Sequence, residues 1–261
     1  MDPTQRIDQL IVRMQGLLQE LQDSPDTRDN AVFLATYLRT TTAVAADLDA
    51  GSFLDPAWTE EWDIAFANLY LDALERWSNA EAVPEPWRVA FSSGRGSQRL
   101  PPLRHLLVGM NAHINYDLPQ ALLAVITDEE FDTPELIARR RADHEHIDEI
   151  LAARVKAEDR ALWAFEQPSD RTLLDRALTP FNRQATRRFL KEARTKVWHN
   201  ALLLSQARRV GALDARLREL EALAAQRVAD LRAPGQVVLR LARDGFGVRL
   251  SQPGRSVDPS R

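Results

Sequence analysis

The chain contains no cysteine. Disulfides, thiolate-ligated zinc, iron–sulfur clusters and thiol nucleophiles are therefore excluded. Glycine is scarce, 10 in 261 residues, and no P-loop, dinucleotide fingerprint or nucleophile elbow is present. No run of 18 apolar residues occurs, so no membrane-spanning helix is expected. Nothing after Met1-Asp2-Pro3-Thr4 resembles a signal peptide, and the expected compartment is the cytoplasm. Only 3 of the 34 basic residues are lysine, a bias that fits codon usage in a GC-rich bacterial genome.

What is there is ordinary in bulk: 44% hydrophobic and 28% charged residues, in a length that suits one large domain. The net charge of −4 hides an asymmetry. From residue 181 onward the sequence has 17 basic and 7 acidic residues, a net of +10; the first 180 residues have 17 and 31, a net of −14. Either the basic third faces an anionic partner, or it packs on the acidic remainder and the charges offset within one molecule. The second reading is preferred. Arg183, Arg187, Lys191, Arg194, Arg208 and Arg209 form a stripe around Trp198, but no nucleic-acid-binding motif accompanies it, and no nucleic-acid partner is expected.

The periodicity is helical. Ile7, Leu10, Ile11, Met14, Leu17, Leu18 and Leu21 make one apolar stripe ended by Asp23-Ser24-Pro25-Asp26. A second helix is predicted from about Asp29 to Leu48, and a third opens with Asp55 as N-cap and Pro56 at N1 and runs to about Trp77. Residues 79–101 are a break with a short helix at Trp87–Phe91. A fourth helix follows over Leu103–Tyr116, and Pro119 opens a fifth. Thr133-Pro134 starts a long helix to Phe165, another runs from Pro180 to Val210, and a last one reaches Leu231. In that last helix Leu213, Leu217, Leu220, Ala224, Val228 and Leu231 form a stripe, predicted to pack antiparallel on the first helix. Val237–Arg243 and Phe246–Leu250 flank Asp244-Gly245, a hairpin signal. The expected architecture is all-α. It is a single bundle of seven to eight helices over residues 1–232, with a small β-hairpin at 233–250 and a disordered tail at 251–261.

Titratable side chains stand on several apolar faces. Asp63 shares a face with Phe66, Ala67, Tyr70 and Leu74, where it needs a partner or its pKa rises; a hydrogen bond to Tyr70 or Tyr37 is the structural reading. His113 and Asp117 are i, i+4 beside Leu106 and Met110, a spacing that lets the carboxylate orient the imidazole or share a metal with it. Asp117 is alternatively an N-cap before Pro119, with Gln120 as its capping-box partner. Asn111 and Asn115 form a second stripe on that segment. Asp143 shares a face with Ile147, Ile150 and Leu151, and Arg139 or Arg140 offers it an ion pair. His144 and His146 lie about 200° apart on a helix and cannot chelate one ion together; His144 with Asp148 reads as a partly exposed pair.

Several segments resemble a bacterial all-helical family catalogued as a domain of unknown function. They are Phe33-x3-Tyr37-x3-Thr41-x2-Val44, Phe53-x-Asp55-Pro56, Trp62–Leu74, Gly109–Pro119, Arg140–Leu151 and Ala193-Arg194 with Trp198. The resemblance covers roughly residues 29–210 and implies a helical fold and no reaction. At His146 that family often has Asn, which counts against this histidine as a ligand.

Two functional readings follow. In the first, Asp63, His113, Asp117 and Asp143 converge as catalytic groups on an interior pocket for a small-molecule ligand. His113, Asp63 and Asp143 would hold a divalent Zn, Mn or Fe that activates water for hydrolysis. In the second, the chain is a helical interaction or scaffold protein, monomeric or homodimeric, working through its amphipathic ends.

Overall fold

The computed structural model describes residues 3–24, 27–92, 100–165, 173–233, 243 and 245–252. Its elements are α1 (Pro3–Asp23), α2 (Ala31–Asp49), α3 (Pro56–Ser78), α4 (Glu85–Phe91), α5 (Pro102–Ala112), a π turn (His113–Asp117), α6 (Leu118–Val125), α7 (Asp128–Phe131), α8 (Pro134–Phe165), α9 (Leu173–Arg209) and α10 (Leu213–Arg232). The all-α class holds. None of the described helices is long and apolar enough to cross a membrane.

The α1 stripe is buried as its spacing requires, with Ile7, Leu10, Met14 and Leu21 all enclosed. Its cover is α2 and α3, not α10. A short link after α1 lets consecutive helices fold back on each other, so the stripe is satisfied locally. The α10 stripe packs on α4, α5 and α9, with Leu220, Ala224, Val228 and Leu231 buried. Asp55 caps α3 as expected: its side chain accepts from the Trp58 N–H at 3.2 Å, and Pro56 occupies N1.

Two helix boundaries differ from the sequence reading. Pro119 does not end a helix. It has no N–H to give the Asn115 carbonyl, and the chain passes it by widening into the π turn, so α5, the π turn and α6 run on without a break. Asp117 accordingly makes no cap bond, and Gln120 donates instead to the Tyr116 carbonyl at 2.8 Å. The capping box in this region belongs to Thr127 and Glu130 at the start of α7. Likewise α9 begins at Leu173, with Pro180 inside it.

The expected β-hairpin is not seen among the described residues. Residues 237–242 lie outside the described residues, and no strand exists among those described. Phe246–Leu250 makes no ladder. Its backbone groups are taken by side chains of α5, the π turn and α9 instead. Part of the basic charge is met within the molecule: Arg208 and Arg209 of α9 pair with Asp128 and Asp132 around α7.

Candidate functional site

His113 and Asp117 meet as their spacing predicts, in the centre of the core. Asp117 Oδ2 lies 2.9 Å from His113 Nδ1 and accepts from Trp87 Nε1 at 2.9 Å. The imidazole stacks on Phe66, ring centres 3.6 Å apart and planes 6° from parallel. Tyr37 stands edge-on at 4.6 Å. Burial holds the imidazole pKa well below its ordinary value. It pushes the Asp117 carboxyl well above the usual range, against the Trp87 hydrogen bond, which lowers it. Both directions favour uncharged forms. The hydrogen bond holds one proton between Oδ2 and Nδ1 and leaves Nε2 as the other ring nitrogen. That nitrogen has no hydrogen-bond partner. Chemically this is a fixed carboxyl–imidazole pair with one ring nitrogen left over.

Asp63 is also fully buried, and its Oδ2 has no partner; the expected bonds to Tyr37 or Tyr70 are not made. Burial raises its pKa to about 7 although the charge of Arg194 pulls it down. Its field and that of Asp117 both reach Tyr37, whose hydroxyl is pushed well up, first by burial. So Asp63, Tyr37, His113 and Asp117 belong to one interior neighbourhood.

Asp143 plays a different part. Its carboxylate accepts from the Leu54 N–H at 2.7 Å and the Asp55 N–H at 2.9 Å, holding the loop that enters α3. The expected ion pair is absent: Arg140 binds Asp55 at 2.5 Å and Glu130 at 2.8 Å, and Arg139 donates to the Leu54 carbonyl. His144 is fully buried rather than partly exposed. Its Nδ1 accepts from Trp198 Nε1 at 3.1 Å, while Arg194 donates to its carbonyl. Among the described residues no three His, Asp or Glu side chains form a set that fits a metal ion. Next to the His113 neighbourhood is a cavity of about 10 Å³, bordered by Phe33, Tyr70, Trp87, His105 and Gly109, which is room for about one water. A cleft of about 430 Å³ lies elsewhere, at Arg6, Trp58, Glu60, Glu61, Glu130 and Arg140, and none of the four predicted site residues borders it.

A second constellation was legible only in fragments. The segment Gly245–Ser251 lies as a strap along α9 and α10. Asn115 donates to the Phe246 carbonyl at 2.9 Å and accepts from the Val248 N–H at 3.0 Å. Asn200 repeats the pattern two residues on: it donates to the Val248 carbonyl at 3.1 Å and accepts from the Leu250 N–H at 2.9 Å. Asn111 adds a second donor to the Phe246 carbonyl at 2.9 Å. Glu192 accepts from the N–H groups of Phe246 and Gly247, and Lys196 donates to the Gly247 carbonyl at 3.0 Å. The geometry follows from two rises. Four residues of helix advance about 6 Å, and two residues of extended chain about 6.6 Å. Side chains spaced i, i+4 on a helix therefore meet backbone groups spaced i, i+2 on an extended segment. Glu192, Lys196 and Asn200 are such a row on α9, reaching from the Phe246 N–H to the Leu250 N–H, whereas Asn111 and Asn115 converge on the one Phe246 carbonyl. On α10, Arg227 binds the Gly245 carbonyl at 2.6 Å and Arg216 the Ser251 carbonyl, so the strap runs antiparallel to that helix. The Asn111–Asn115 stripe was visible in the sequence. Asn200 was not singled out, because its partner is a segment fifty residues away.

No curated protein and no solved structure matches the chain. The model of one family, a family of unknown function (DUF5995), matches residues 7–234, which takes in all but the first four residues of α1 and the whole of α2 to α10, and stops before the strap. The chain belongs to that family.

Proposed function

We propose that the chain is a helical interaction protein, and that the groove between the π turn, α9 and α10 receives an extended polypeptide segment by its backbone. The observation that carries this reading is the repeated amide bridge. Asn115 and Asn200 each span a carbonyl and the N–H two residues beyond it, as a neighbouring strand would. A packing contact alone needs apolar complementarity and no such register. Buried asparagines are costly unless both ends of the amide are used, and at Asn115 and Asn200 the strap uses both, whereas the Asn111 Oδ1 has no partner.

The metal-dependent hydrolase reading has less in its favour. Asp143 is committed to the Leu54 and Asp55 amides, and the His113 pair is walled in by Phe66, Tyr37, Phe33 and Trp87. The pair serves better as a polar strut that ties the π turn to α4 through Trp87.

The test uses the full chain carrying Gly247→Val, whose added Cβ would meet the Ala193 Cα of α9 and unseat the strap. A labelled peptide of residues 243–252 is expected to bind it saturably, and binding should vanish when Asn115→Ala and Asn200→Ala are added. Binding that ignores those two amides, or none at all to a folded chain, would sink the reading.

A further inference from the structure

The strap shows what kind of segment the groove accepts, and this inference rests on the interaction reading above. Phe246, Val248 and Leu250 are buried, while Arg249 points to solvent. Phe246 enters the main core cluster. Val248 and Leu250 enter a smaller one with Leu123, Leu203, Leu204 and Leu220. Side chains on an extended segment alternate between faces, so the three buried positions share one face. Gly247, on the other face, is buried against α9. A Cβ there would stand 2.7 Å from the Ala193 Cα and 2.9 Å from the Lys196 Cδ. The nearer atom is helix backbone and cannot swing away. The Glu192 carboxylate that accepts from the N–H groups of residues 246 and 247 lies against Gly245, where a Cβ would stand 3.0 Å from its Oε1.

The tether does not force this occupant. Gly245 is bound by Arg227, five residues before the end of α10 at Arg232, a helical distance of about 7.5 Å. The connection, residues 234–244, is eleven residues long, with Arg243 in helical conformation; even at a helical rise of about 1.5 Å per residue it could span roughly 16 Å, more than that distance. The groove lies within the family match and the strap beyond its end.

We infer that the groove is selective for a partner polypeptide carrying an extended aromatic–Gly–aliphatic–x–aliphatic segment, and that Phe246–Leu250 is a copy of that segment in cis which competes with it. A tethered copy acts at a high effective concentration, so the partner binds strongly only where the strap is displaced.

The experiment takes the full chain with Gly247→Val, whose strap cannot seat, beside the unaltered chain. Labelled peptides are titrated onto both: Phe-Gly-Val-Arg-Leu-Ser within residues 243–252, the same with alanine in place of the glycine, and the same with alanine in place of the phenylalanine. The first peptide is expected to bind Gly247→Val, and the other two at least tenfold more weakly. The unaltered chain should bind the first peptide at least tenfold more weakly than the variant does. Equal binding of all three peptides, still dependent on Asn115 and Asn200, overturns this selectivity and leaves the interaction reading standing. Absence of any binding to the folded variant overturns both. Should Gly247→Val fail to fold, the unaltered chain is used with a photoreactive group at the arginine position of each peptide in millimolar excess. Crosslinks to α9 and α10 from the glycine peptide alone support the inference, and equal or absent crosslinks overturn it. A dimeric unaltered chain whose straps crosslink between copies makes the occupant a second copy and overturns the assignment to a partner.

Discussion

A buried acid without a partner has a consequence for stability. The Asp63 carboxyl ionises near 3.8 in an unfolded chain and at about 7 in the fold, because burial penalises the charge. Between those values the folded chain keeps a proton that the unfolded chain releases. Stability therefore falls as pH rises through that window, by about 1.4 kcal/mol per pH unit. Asp63→Asn keeps the shape and cannot ionise. Denaturant unfolding should find it close to the unaltered chain at pH 4 and more stable by roughly 4 kcal/mol at pH 8; a gap that does not widen with pH would refute the assignment. At the same scale, Trp87→Phe removes the donor to Asp117 and should cost about 1–3 kcal/mol, the usual loss when a buried acceptor is left short. The His113–Asp117 pair was legible because both partners lie on one helix, four residues apart. Asp143 was misread because its bonds go to backbone N–H groups 88 and 89 residues away, which no local spacing reveals.

At the scale of elements, the segment Gly109–Pro119 carries two faces of chemistry on one irregular helix. The π turn sends His113 and Asp117 into the core and Asn115 toward the strap, where Asn111 of α5 joins it. Pro119 pointed to a break in the sequence; the break is absorbed as a wider turn, and that was not readable, because a π turn has no residue signature of its own. The helical stripes were readable, but their pairing was not. The α1 and α10 stripes looked complementary and yet found cover on different neighbours, since any apolar face satisfies another. Close crossings leave a more specific trace. At Gly109 of α5 an added Cβ would sit 2.7 Å from the Phe33 Cγ of α2. Gly109→Ala should gain about 1 kcal/mol in helix propensity and lose about 1–3 kcal/mol to overpacking. The net expectation is a less stable chain, measured by thermal unfolding. A stabilised Gly109→Ala would show that α2 and α5 yield more easily than their contact implies.

On the scale of the whole molecule, the amphipathic pattern made the all-helical class legible, whereas the hairpin signal at Asp244-Gly245 misled. Alternating apolar residues predict an extended segment correctly, but they do not say whether a strand or a row of amides will pair with it. Gly245 does adopt a positive φ of 74°, the turn conformation that the signal implied. The strap then spans two packing units. Phe246 is part of the main core, while Leu250 belongs to the smaller cluster beside α9 and α10. Stability need not be uniform across such a boundary, and segments with few apolar contacts open before the rest. Phe246→Ala removes a fully buried ring and should lower global stability by about 3–5 kcal/mol. Leu250→Ala should chiefly loosen the end of the strap: exchange of the Leu250 and Ser251 amides, held by Asn200 and Glu219, rises, while the urea midpoint moves much less than for Phe246→Ala. Hydrogen exchange and urea unfolding on the same two variants separate these effects. If Leu250→Ala lowers the global midpoint as far as Phe246→Ala does, the strap unfolds only with the whole molecule, and a cis segment that leaves its groove to admit a partner loses its physical basis.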